Sequence, residues 1–424
     1  MDNRAIIQRG LDYIEDNLQT EITAAELAEQ AGFSLFHYYR MFQQATGLPV
    51  MQYILRRRLL HGAYAMKQGT RKIDAALKFG FDTYAGFYKA FCREFGATPA
   101  AFLKTSRAKR PYRIDITQEE HMTVTHKKAA EILQNWNLKD AAITDIYYEG
   151  TGNKNENACY VGDNYVLKFT VNLGKLKKHI EVSKALQSIG LLSAVPVPTA
   201  DGAEFIQDGE AYFYLTCRLP GEQMVAHRFA DGDGRFVGEI IGQLHLALFG
   251  IEDCVSEADL LATVREWALP KAKAALCLSN TFCEEYLDTF DNLYPNLPRQ
   301  IIHRDPNPGN IICANDQWGF IDFELAERNA RIYDPCYAAT AVLSETFGED
   351  NDGWLAIYRD ILRGYDSVAK LTDAERRAVP YIILANQFVC VAWFAGQDKY
   401  AEILATNRAM TLWLISRFEE LKDI

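Results

Sequence analysis

Residues 301–313 read IIHRDPNPGNIIC and contain the pattern H-x-D-x-x-x-x-N. The residues of this pattern are His303, Asp305 and Asn310, and Asp322 follows in the stretch GFIDFELA. Transfer of a phosphoryl group requires a carboxylate that orients the acceptor hydroxyl and accepts its proton. It also requires an amide oxygen and a second carboxylate that hold Mg²⁺ against the phosphates. Asp305, Asn310 and Asp322 supply these groups in that order, so the sequence predicts phosphoryl-transfer chemistry at this loop.

The residues upstream of this loop have a β-strand pattern. Strands are predicted at 143–148, 158–161 and 165–170. The turn before the second strand, residues 150–157, contains a Gly-x-Gly pair, which alone is weak evidence of a phosphate site. Lys168 lies in the middle of the third strand, where a lysine is unfavourable without a partner, and Glu181 in the following helix is a suitable one. A strand lysine paired with a helix glutamate is the arrangement found in kinases.

Motifs along residues 140–424 resemble the aminoglycoside phosphotransferase and choline kinase group, which are small-molecule kinases with a protein-kinase-like fold. The motifs are GTGNKNENACYV, YVLKF, HIEVSKAL, TCRLPGE, GQLHLAL, IHRDPNPGN, FIDFELA and YDPCYAATA. The resemblance implies that ATP donates the phosphoryl group, that Asp305 is the catalytic base and that Asn310 and Asp322 are Mg²⁺ ligands. It also implies a hinge at residues 216–219 whose backbone binds adenine. The residues that it implies for nucleotide binding are Lys168, Glu181, Gly150, Gly152, Asn157, Thr216 and Arg218.

Two features depart from the pattern of this group. The turn at 150–157 lacks a third glycine, although Asn157 and Tyr160 keep the looser N-x-x-Y form of the group. Arg304 precedes the expected base, as in protein kinases, where it meets a phosphate of the activation loop. The stretch DFELAERNARIYDP leaves no room for such a loop before Asp334, so a protein kinase is not expected.

Three residues near these motifs have structural or undecided roles. We expect His303 to be a hydrogen-bonding residue of the loop. We expect His245, in LGQLHLAL, to be a helix histidine with satisfied hydrogen bonds and not a ligand. Asp334 either braces the loop or borders the acceptor site, and the sequence leaves both alternatives open.

Charge is distributed unevenly along the chain. The 424 residues contain 45 Lys+Arg and 56 Asp+Glu, a net charge of −11. Residues 1–110 contain 16 basic and 10 acidic residues, a net charge of +6, so the remainder carries −17. A basic module joined to an acidic one indicates that the first part meets a polyanion while the second does other work.

The basic module begins with a helix-turn-helix pattern. After a first helix over 4–18, Thr23 is a predicted N-cap, and Glu26 completes a capping box. The helix that it opens ends at Gly32, and Ser34 caps a second helix that runs to about residue 46. The second helix of such a unit enters the major groove of DNA.

The same pattern then recurs. A long helix over 49–66 leads to helices at 73–78 and 83–95, and Pro99 opens a last short helix. A linking helix of about 18 residues spans about 27 Å. It could therefore hold two recognition helices in successive major-groove turns of one DNA face.

The stretches ELAEQAGFSLFHYYRMFQQATGLPVMQYI and KIDAALKFGFDTYAGFYKAFCREFGATPAAFL resemble the DNA-binding domain of the AraC family. The match covers nearly all of residues 3–104, and its closing pattern F-x-x-F-x-x-x-F-G-x-T-P is distinctive. The base-facing residues implied by this resemblance are Phe36, His37 and Arg40 in the first recognition helix and Tyr84, Tyr88 and Lys89 in the second.

The side-chain chemistry of these residues indicates which DNA bases they can contact. Arg40 can pair with guanine, and the aromatic rings can contact thymine methyl groups. Phe36 and Tyr88 have an alternative interpretation as core residues of a small helical unit. Phosphate contacts are expected from Arg56, Arg57, Arg58, Lys72 and Arg93.

Together these patterns predict a multidomain protein, with an all-α double helix-turn-helix domain followed by an α+β bilobal protein-kinase-like domain. The expected divisions are 1–108 for the DNA-binding domain, 109–140 for a linker and leading helix, 141–219 for the kinase-like N-lobe and 220–424 for the C-lobe.

Other features argue for a cytoplasmic protein without a membrane partner. The nine cysteines form no metal-binding pattern and are expected to be reduced thiols. The first 25 residues do not predict a signal peptide. Residues 378–397 carry no charge, but Pro380 and the Asn386–Gln387 pair make a membrane span costly, so we expect a buried helix.

Three hypotheses follow from the sequence. The leading one is a transcription regulator that carries an active ATP- and Mg²⁺-dependent small-molecule kinase, with double-stranded DNA and a hydroxyl-bearing acceptor as partners. A charge of −17 favours a cationic acceptor such as an aminoglycoside or an amino alcohol. In the alternative, the kinase-like domain is catalytically silent and only senses a ligand or nucleotide. In the third, the N-terminal module is a relic without DNA affinity, which the retained basic residues argue against. The sequence leaves the oligomeric state undefined.

Overall fold

The computed structural model describes residues 3–104, 111–117, 124–147, 154–249, 251, 255–314, 317–395 and 400–423. The chain divides into two compact units. Unit 1 comprises Met1–Asn172 and Pro196–Cys217, and unit 2 comprises Leu173–Val195 and Arg218–Ile424.

Helices and strands are numbered here in chain order. The described α-helices are α1 (Asn3–Asn17), α2 (Ala24–Ala31), α3 (Leu35–Thr46), α4 (Val50–Lys67), α5 (Lys72–Lys78), α6 (Tyr84–Phe95), α7 (Pro99–Phe102), α8 (His126–Leu133), α9 (Leu173–Ser188), α10 (Asp233–Leu248), α11 (Leu260–Thr263), α12 (Leu269–Leu276), α13 (Asn280–Leu293), α14 (Tyr333–Thr346), α15 (Asn351–Val368), α16 (Asp373–Phe394) and α17 (Ala401–Ser416). The described strands are β1 (Ile143–Tyr147), β2 (Lys154–Val161), β3 (Tyr165–Thr170), β4 (Leu192–Ser193), β5 (Ile206–Asp208), β6 (Ala211–Cys217), β7 (Glu222–Gln223), β8 (Arg299–Ile302), β9 (Ile311–Ala314), β10 (Gln317–Phe320) and β11 (Glu327–Ala330).

Side-chain caps define the starts of the N-terminal helices. The hydroxyls of Thr23, Ser34 and Thr83 each accept a hydrogen bond from the backbone N–H three residues later, which satisfies a donor that the helix cannot pair. The N-caps at Thr23 and Ser34 confirm the sequence predictions, whereas Thr83, predicted as the first residue of a helix, is the N-cap of that helix. The capping box at Thr23 is half formed among the described contacts, because the Glu26 carboxylate accepts a hydrogen bond from the Tyr13 hydroxyl.

The seven helices α1–α7 bury two separate cores. The first core lies between α1, α2, α3 and the start of α4, with Leu11, Tyr38 and Phe42 fully buried. The second core lies between the end of α4, α5 and α6, with Phe87 and Phe91 fully buried. Each core supports one helix-turn-helix unit, and α4 is the element common to both.

Residues 111–117 extend the first core. Ile114 and Ile116 are buried against it, although the sequence indicates a linker without periodicity at this point. The Gln8 side chain donates to the Ile114 carbonyl at 2.9 Å and accepts from the Ile116 N–H at 2.8 Å. The proposed linker therefore contributes apolar side chains to the DNA-binding module.

Arg57 is the buried charge of this module. Its guanidinium bonds both carboxylate oxygens of Glu15 and donates to the Tyr112 carbonyl oxygen at 2.6 Å. Burial disfavours the charged form of Glu15, but hydrogen bonds from His61 and Arg57 hold the pKa of that carboxyl below its ordinary value. The expectation that Arg57 contacts a DNA phosphate is therefore wrong, because its side chain is 5% exposed and its donors are used within the protein.

The strands of unit 1 form an antiparallel sheet in the order β1-β2-β3-β6-β5. β3 matches the predicted strand at 165–170. Lys168 lies in this central strand, opposite Ala158 of β2 and Tyr214 of β6. β2 begins at Lys154, earlier than predicted, so Asn157 lies within a strand and not in the preceding turn.

Unit 2 is mainly helical. It also contains a sheet in the order β4-β10-β9-β7 and the antiparallel pair β11-β8. A large apolar core unites α10 and α12–α16, and it contains the fully buried rings of Trp354, Tyr358 and Tyr365. β8 and β9 flank the loop that carries His303, Asp305 and Asn310.

One helix of the described chain, α16, has the length and apolar composition of a membrane span. Two thirds of its most apolar window is buried inside the protein, with Asn386 and Gln387 in the interior. This matches the predicted buried helix, and a core helix of this kind is weak evidence for a membrane segment.

We expect Arg57→Ala to lower the free energy of unfolding of the N-terminal module by about 3 kcal/mol, because it leaves the Glu15 carboxylate buried with one partner removed. Hydrogen–deuterium exchange of peptides from α1 and α4 in the full chain should then accelerate by about two orders of magnitude.

Arg71→Ala is the matched control. Arg71 is also paired with a carboxylate, Asp74, but its side chain is 80% exposed, so exchange should stay unchanged. If hydrogen–deuterium exchange accelerated equally in both variants, or did not accelerate in Arg57→Ala, Arg57 would not be the buried charge that stabilises this core.

Candidate functional site

The 303–310 loop holds the Asp305 carboxylate between two amides. The Asn307 side chain donates to Asp305 Oδ1 at 2.8 Å. The Asn310 side chain donates to the Asp305 carbonyl oxygen at 2.9 Å and to Asp305 Oδ2 at 3.3 Å. The structure therefore brings Asp305 and Asn310 into direct contact, and both carboxylate oxygens have a defined direction.

The Asp322 segment is tied to the same loop. The Ile321 N–H donates to the Asn310 carbonyl oxygen at 3.0 Å, and His303 Nε2 lies 3.0 Å from the Ile321 carbonyl oxygen. Asp322 itself has a φ of 72°, a backbone conformation that is uncommon for a residue other than glycine. The three residues predicted for phosphoryl transfer thus belong to two segments joined by backbone hydrogen bonds.

Asp334 braces this loop, which decides between the two alternatives for its role. Its Oδ2 accepts from the His303 N–H at 2.8 Å, and its Oδ1 accepts from the Arg304 N–H at 3.0 Å. Asp334 is fully buried at the first turn of α14. His245 Nε2 lies 2.9 Å from Asp334 Oδ2, and His245 Nδ1 lies 2.8 Å from the Tyr365 hydroxyl, so His245 is satisfied, as predicted.

His303 is also a structural residue, as predicted. The Asp305 N–H donates to His303 Nδ1 at 3.3 Å, which makes Nδ1 an acceptor. The hydrogen-bond pattern therefore assigns the ring proton to Nε2, which donates to the Ile321 carbonyl oxygen. Both ring nitrogens are used to connect the loop with the Asp322 segment.

Arg304 is held inside unit 2 and does not need an activation-loop phosphate. It has a φ of 76°, and its guanidinium donates to Glu327 at 2.8 Å and lies 4.6 Å from the centre of the Tyr333 ring. The positive φ turns the chain immediately before Asp305, which is half-buried. The bond from its own N–H to Asp334 stabilises this strained conformation.

The electrostatic surroundings of Asp305 favour a group that can accept a proton. Burial raises the pKa of Asp305 above its ordinary value, while the hydrogen bond from Asn307 and the nearby His303 favour the carboxylate. The Tyr337 hydroxyl is a further hydrogen-bonding neighbour. Burial and, to a lesser extent, the nearby Asp305 charge raise the pKa of the Cys390 thiol on α16. Sequence reasoning missed both neighbours, because only the packing of α14 and α16 brings them to the loop.

The donor atoms present at this loop fit Mg²⁺. The Asn310 NH₂ group is used by Asp305, which leaves the amide oxygen as its acceptor atom, and Asp322 supplies a carboxylate. Mg²⁺ prefers such oxygen ligands and usually keeps several waters while it binds substrate phosphates. Within the described residues there is no cluster of three or more His, Cys, Asp and Glu side chains, so a metal cage made only of protein side chains is not seen there.

The residues expected to bind nucleotide are distributed over both units. Lys168 is half-buried in the middle of β3 in unit 1, and Glu181 lies on the exposed face of α9 in unit 2. Their pairing remains a prediction. At the expected hinge, Thr216 is buried near the end of β6 and Arg218 is exposed just beyond it. Gly150 and Gly152 lie outside the described residues.

The recognition helices present the predicted base-facing residues to solvent. On α3, Phe36 is 79% exposed, Arg40 is exposed and His37 is half-buried. On α6, Tyr88 and Lys89 are exposed, whereas Tyr84 is half-buried and stacks on Phe87. The alternative in which Phe36 and Tyr88 are core residues is therefore wrong. Exposed aromatic rings in the first turn of α3 and the second turn of α6 suit contact with base edges.

Arg56 and Arg58 on α4 are half-buried and engaged inside the module. Arg56 donates to Glu94 at 2.8 Å and lies over the Phe95 ring. Arg58 donates to the Leu18 carbonyl oxygen at 3.0 Å and to the Thr20 carbonyl oxygen. These bonds attach α4 to both helix-turn-helix units, so any phosphate contact by the two arginines would compete with them.

Two family models match this chain. The helix-turn-helix domain model matches residues 27–105, and the phosphotransferase enzyme family model matches residues 150–371. The second match covers more than half of the chain.

The similar proteins also fall into two groups, transcriptional regulators and kinases. The transcriptional regulator Rob of Salmonella typhimurium is 32% identical over 158 residues, which are 35% of this chain and 55% of that protein. The chain thus spans about half the length of the curated relatives that it matches first. The structure of a microcompartment-associated aminopropanol kinase has a TM-score of 0.52 and 15% identity, and covers 69% of this chain and 95% of its own. An amicoumacin kinase in complex with AMP-PNP and Ca²⁺ has a TM-score of 0.51 and 12% identity, with 69% and 92% covered. At these identities the two structures show a shared fold.

We expect Asp334→Asn to loosen the 303–310 loop. The substitution replaces one acceptor oxygen with an NH₂ group, which then faces a backbone N–H or His245 in the interior, at a cost of about 2 kcal/mol. Hydrogen–deuterium exchange of peptides that span residues 299–312 should accelerate at least tenfold.

Asp360→Asn is the control, because this aspartate is exposed on α15 and 3.9 Å from Arg363. Its loop exchange should equal that of the parent. If Asp334→Asn also left the loop unchanged, Asp334 would not be the brace of the loop.

Proposed function

Because this chain belongs to the phosphotransferase enzyme family and begins with an AraC-type helix-turn-helix domain, we propose that it is a transcription regulator whose C-terminal domain transfers a phosphoryl group from ATP to a hydroxyl of a small molecule. One observation carries the proposal. The Asp305 carboxylate is oriented by Asn307 and Asn310 on a loop whose backbone is held by a buried aspartate. A silent ligand sensor would not need this precision at an acceptor carboxylate.

In the proposed reaction, Asp305 binds the acceptor hydroxyl and takes its proton as the oxygen attacks the γ-phosphorus of ATP. The bond between the γ-phosphorus and the bridging oxygen of the β-phosphate breaks, and ADP leaves. Asn307 and Asn310 fix the direction of the two carboxylate oxygens, so the hydroxyl meets a preformed acceptor. Asn310 and Asp322 would hold Mg²⁺, which supplies charge neutralisation of the phosphates. His303 and Asp334 would hold the loop and the Asp322 segment in position without binding the substrate.

The nucleotide-binding residues belong to the same proposal. Lys168 would contact phosphate and Glu181 would position it, as in kinases. The turn with Gly150 and Gly152, together with Asn157, would cover the phosphates, and the backbone near Thr216 and Arg218 would bind adenine. The division into 1–108, 109–140, 141–219 and 220–424 also stays a proposal, in which residues 111–117 now contribute to the core of the first domain.

The acceptor in this proposal is an alcohol of a small molecule. The charge of −17 on residues 111–424 favours a cationic acceptor through long-range attraction, for example an aminoglycoside or an amino alcohol. The structurally similar kinases named above include one for aminopropanol, an amino alcohol.

The N-terminal domain would bind double-stranded DNA through α3 and α6. Phe36, His37 and Arg40 would meet one major-groove segment, and Tyr84, Tyr88 and Lys89 the next. Two units in one chain permit binding as a monomer. A protein that reads bacterial-type operators works where the genome lies, so the cytoplasm is part of this proposal.

We expect Asp305→Asn to lower kcat by about 10²- to 10⁴-fold, because the amide cannot accept the proton while the loop keeps its shape. The measurement is phosphorylation of a panel of aminoglycosides and amino alcohols with Mg²⁺-ATP. Asp360→Asn, a surface aspartate of the same unit, should keep the parent rate.

Nucleotide binding by the parent without turnover of any acceptor would favour the silent-sensor alternative. Equal rates for the parent and Asp305→Asn would remove Asp305 from the mechanism.

We expect Arg40→Ala to weaken binding to the preferred operator by about 5- to 150-fold, the range for loss of a bidentate base contact. Lys89→Ala should lower the slope of log K against log salt by about one unit if Lys89 also touches a phosphate. The operator is obtained by selection from random duplexes, and binding is measured by mobility shift at several salt concentrations.

Arg71→Ala is the control on the same module, because Arg71 is exposed but lies outside both recognition helices. A parent without sequence preference or salt dependence would support the relic hypothesis.

A further inference from the structure

The 303–310 loop is attached to a buried chain of polar side chains that extends away from the site. The chain runs from the His303 and Arg304 N–H groups to Asp334, then to His245, and then to the Tyr365 hydroxyl. His245, Asp334 and Tyr365 are each at most 1% exposed. These polar groups are closed to solvent, so they depend on one another for hydrogen-bond partners.

The hydrogen bonds assign those places. A carboxylate only accepts hydrogen bonds, so His245 Nε2 must donate to Asp334. In a neutral ring, Nδ1 is then an acceptor, and the Tyr365 hydroxyl, 2.8 Å away, is the donor that satisfies it. If the hydroxyl is removed, the Nε2–H tautomer leaves a buried nitrogen unpaired, and the other tautomer turns a lone pair toward Asp334. Asp334 therefore fixes the Nε2–H tautomer of His245, and the Tyr365 hydroxyl supplies the donor that its Nδ1 needs in order to hold the ring in this orientation.

The packing of α10 against α15 sets Tyr365 opposite His245. The two helix backbones approach so closely that a Cβ at Gly238 would lie 1.9 Å from the Ile361 carbonyl oxygen. A Cβ at Gly364 would lie 2.0 Å from the Arg235 carbonyl oxygen. These close contacts fix the axial register of the helices, because a slide of either one would drive a side chain into them. The Tyr365–His245 bond is thus a property of the helix pair and not of a mobile side chain.

We infer that Tyr365 is a positioning residue for the 303–310 loop, acting through the orientation of His245 and the carboxylate of Asp334. Among the described residues no hydrogen bond joins Tyr365 to Asp305. Its effect reaches the site because Asp334 holds the N–H of Arg304, whose positive φ directs Asp305. The kinetic consequence rests on the proposed phosphotransferase function, whereas the structural consequence does not.

The test compares Tyr365→Phe with Tyr358→Phe. Both tyrosines lie on α15, two turns apart, and both are fully buried, but the Tyr358 hydroxyl donates to the Leu421 carbonyl oxygen, away from the loop. Each substitution keeps the ring and removes one hydroxyl. The full chain is labelled with ¹⁵N-histidine, and the His245 signal is identified by its loss in His245→Gln.

The parent should show the Nε2–H tautomer at His245. Tyr365→Phe should keep this tautomer but shift the His245 Nδ1 resonance, because that nitrogen loses its hydrogen-bond donor, and amide exchange in residues 299–312 should accelerate about tenfold. With the acceptor identified in the activity panel, kcat should fall about 3- to 30-fold while the KM values for ATP and acceptor stay within twofold. Tyr358→Phe should leave all of these at the parent values.

Three results would overturn the inference: an Nδ1–H tautomer in the parent, an unchanged His245 signal and loop exchange in Tyr365→Phe, or equal loop effects in Tyr358→Phe. The parent spectrum is decisive even if Tyr365→Phe does not fold. Absence of turnover in the parent would count against the proposed function, while the tautomer and exchange measurements would still decide the role of Tyr365.

Discussion

One buried carboxylate determines the geometry on which the proposed chemistry depends. Asp334 accepts two backbone N–H groups of consecutive loop residues and a third hydrogen bond from an imidazole. In the interior, where each unpaired polar group is costly, these bonds leave the loop few alternative paths. These bonds stabilise the left-handed conformation of Arg304, and the half-buried Asp305 that follows it lies beside Asn307 and Asn310. The reactive carboxylate is therefore placed by a residue that need not meet the substrate.

The N-terminal module uses a buried charge in a comparable way. Arg57 joins α1, α4 and the segment at residues 111–117 through Glu15 and the Tyr112 carbonyl oxygen. Its neighbours Arg56 and Arg58 extend the ties from the same helix to α6 and to the segment after α1. The sequence predicts that the three consecutive arginines of α4 bind phosphates. In the structure their main role is to bond α4 to neighbouring segments of the same module.

Local signals in the sequence predicted local structure well. The caps at Thr23 and Ser34, the strand that holds Lys168 and the contact of Asp305 with Asn310 all lie within a few residues of the motifs that predict them. The failures are long-range. Arg57 finds its partners 42 and 55 residues away, and Asp334, Tyr337 and Cys390 reach the loop only through helix packing. The pattern of residue types along the chain does not predict such pairings, since several arginines and aspartates could equally well have formed these buried hydrogen bonds.

The docking of residues 111–117 changes the mechanical description of the connection between the modules. The chain packs on the first helix-turn-helix core as far as Ile116, and α8 begins at His126. Ten residue steps reach at most about 36 Å, so the packing of Ile116 limits how far α8 can lie from this core. This connection is attached to one helix-turn-helix unit only, because Ile114 and Ile116 pack on the core that contains α3 and not on the core that contains α6. A displacement of α8 transmitted along the chain would therefore reach the helix-turn-helix unit that contains α3 before the unit that contains α6. The two units are thus mechanically unequal.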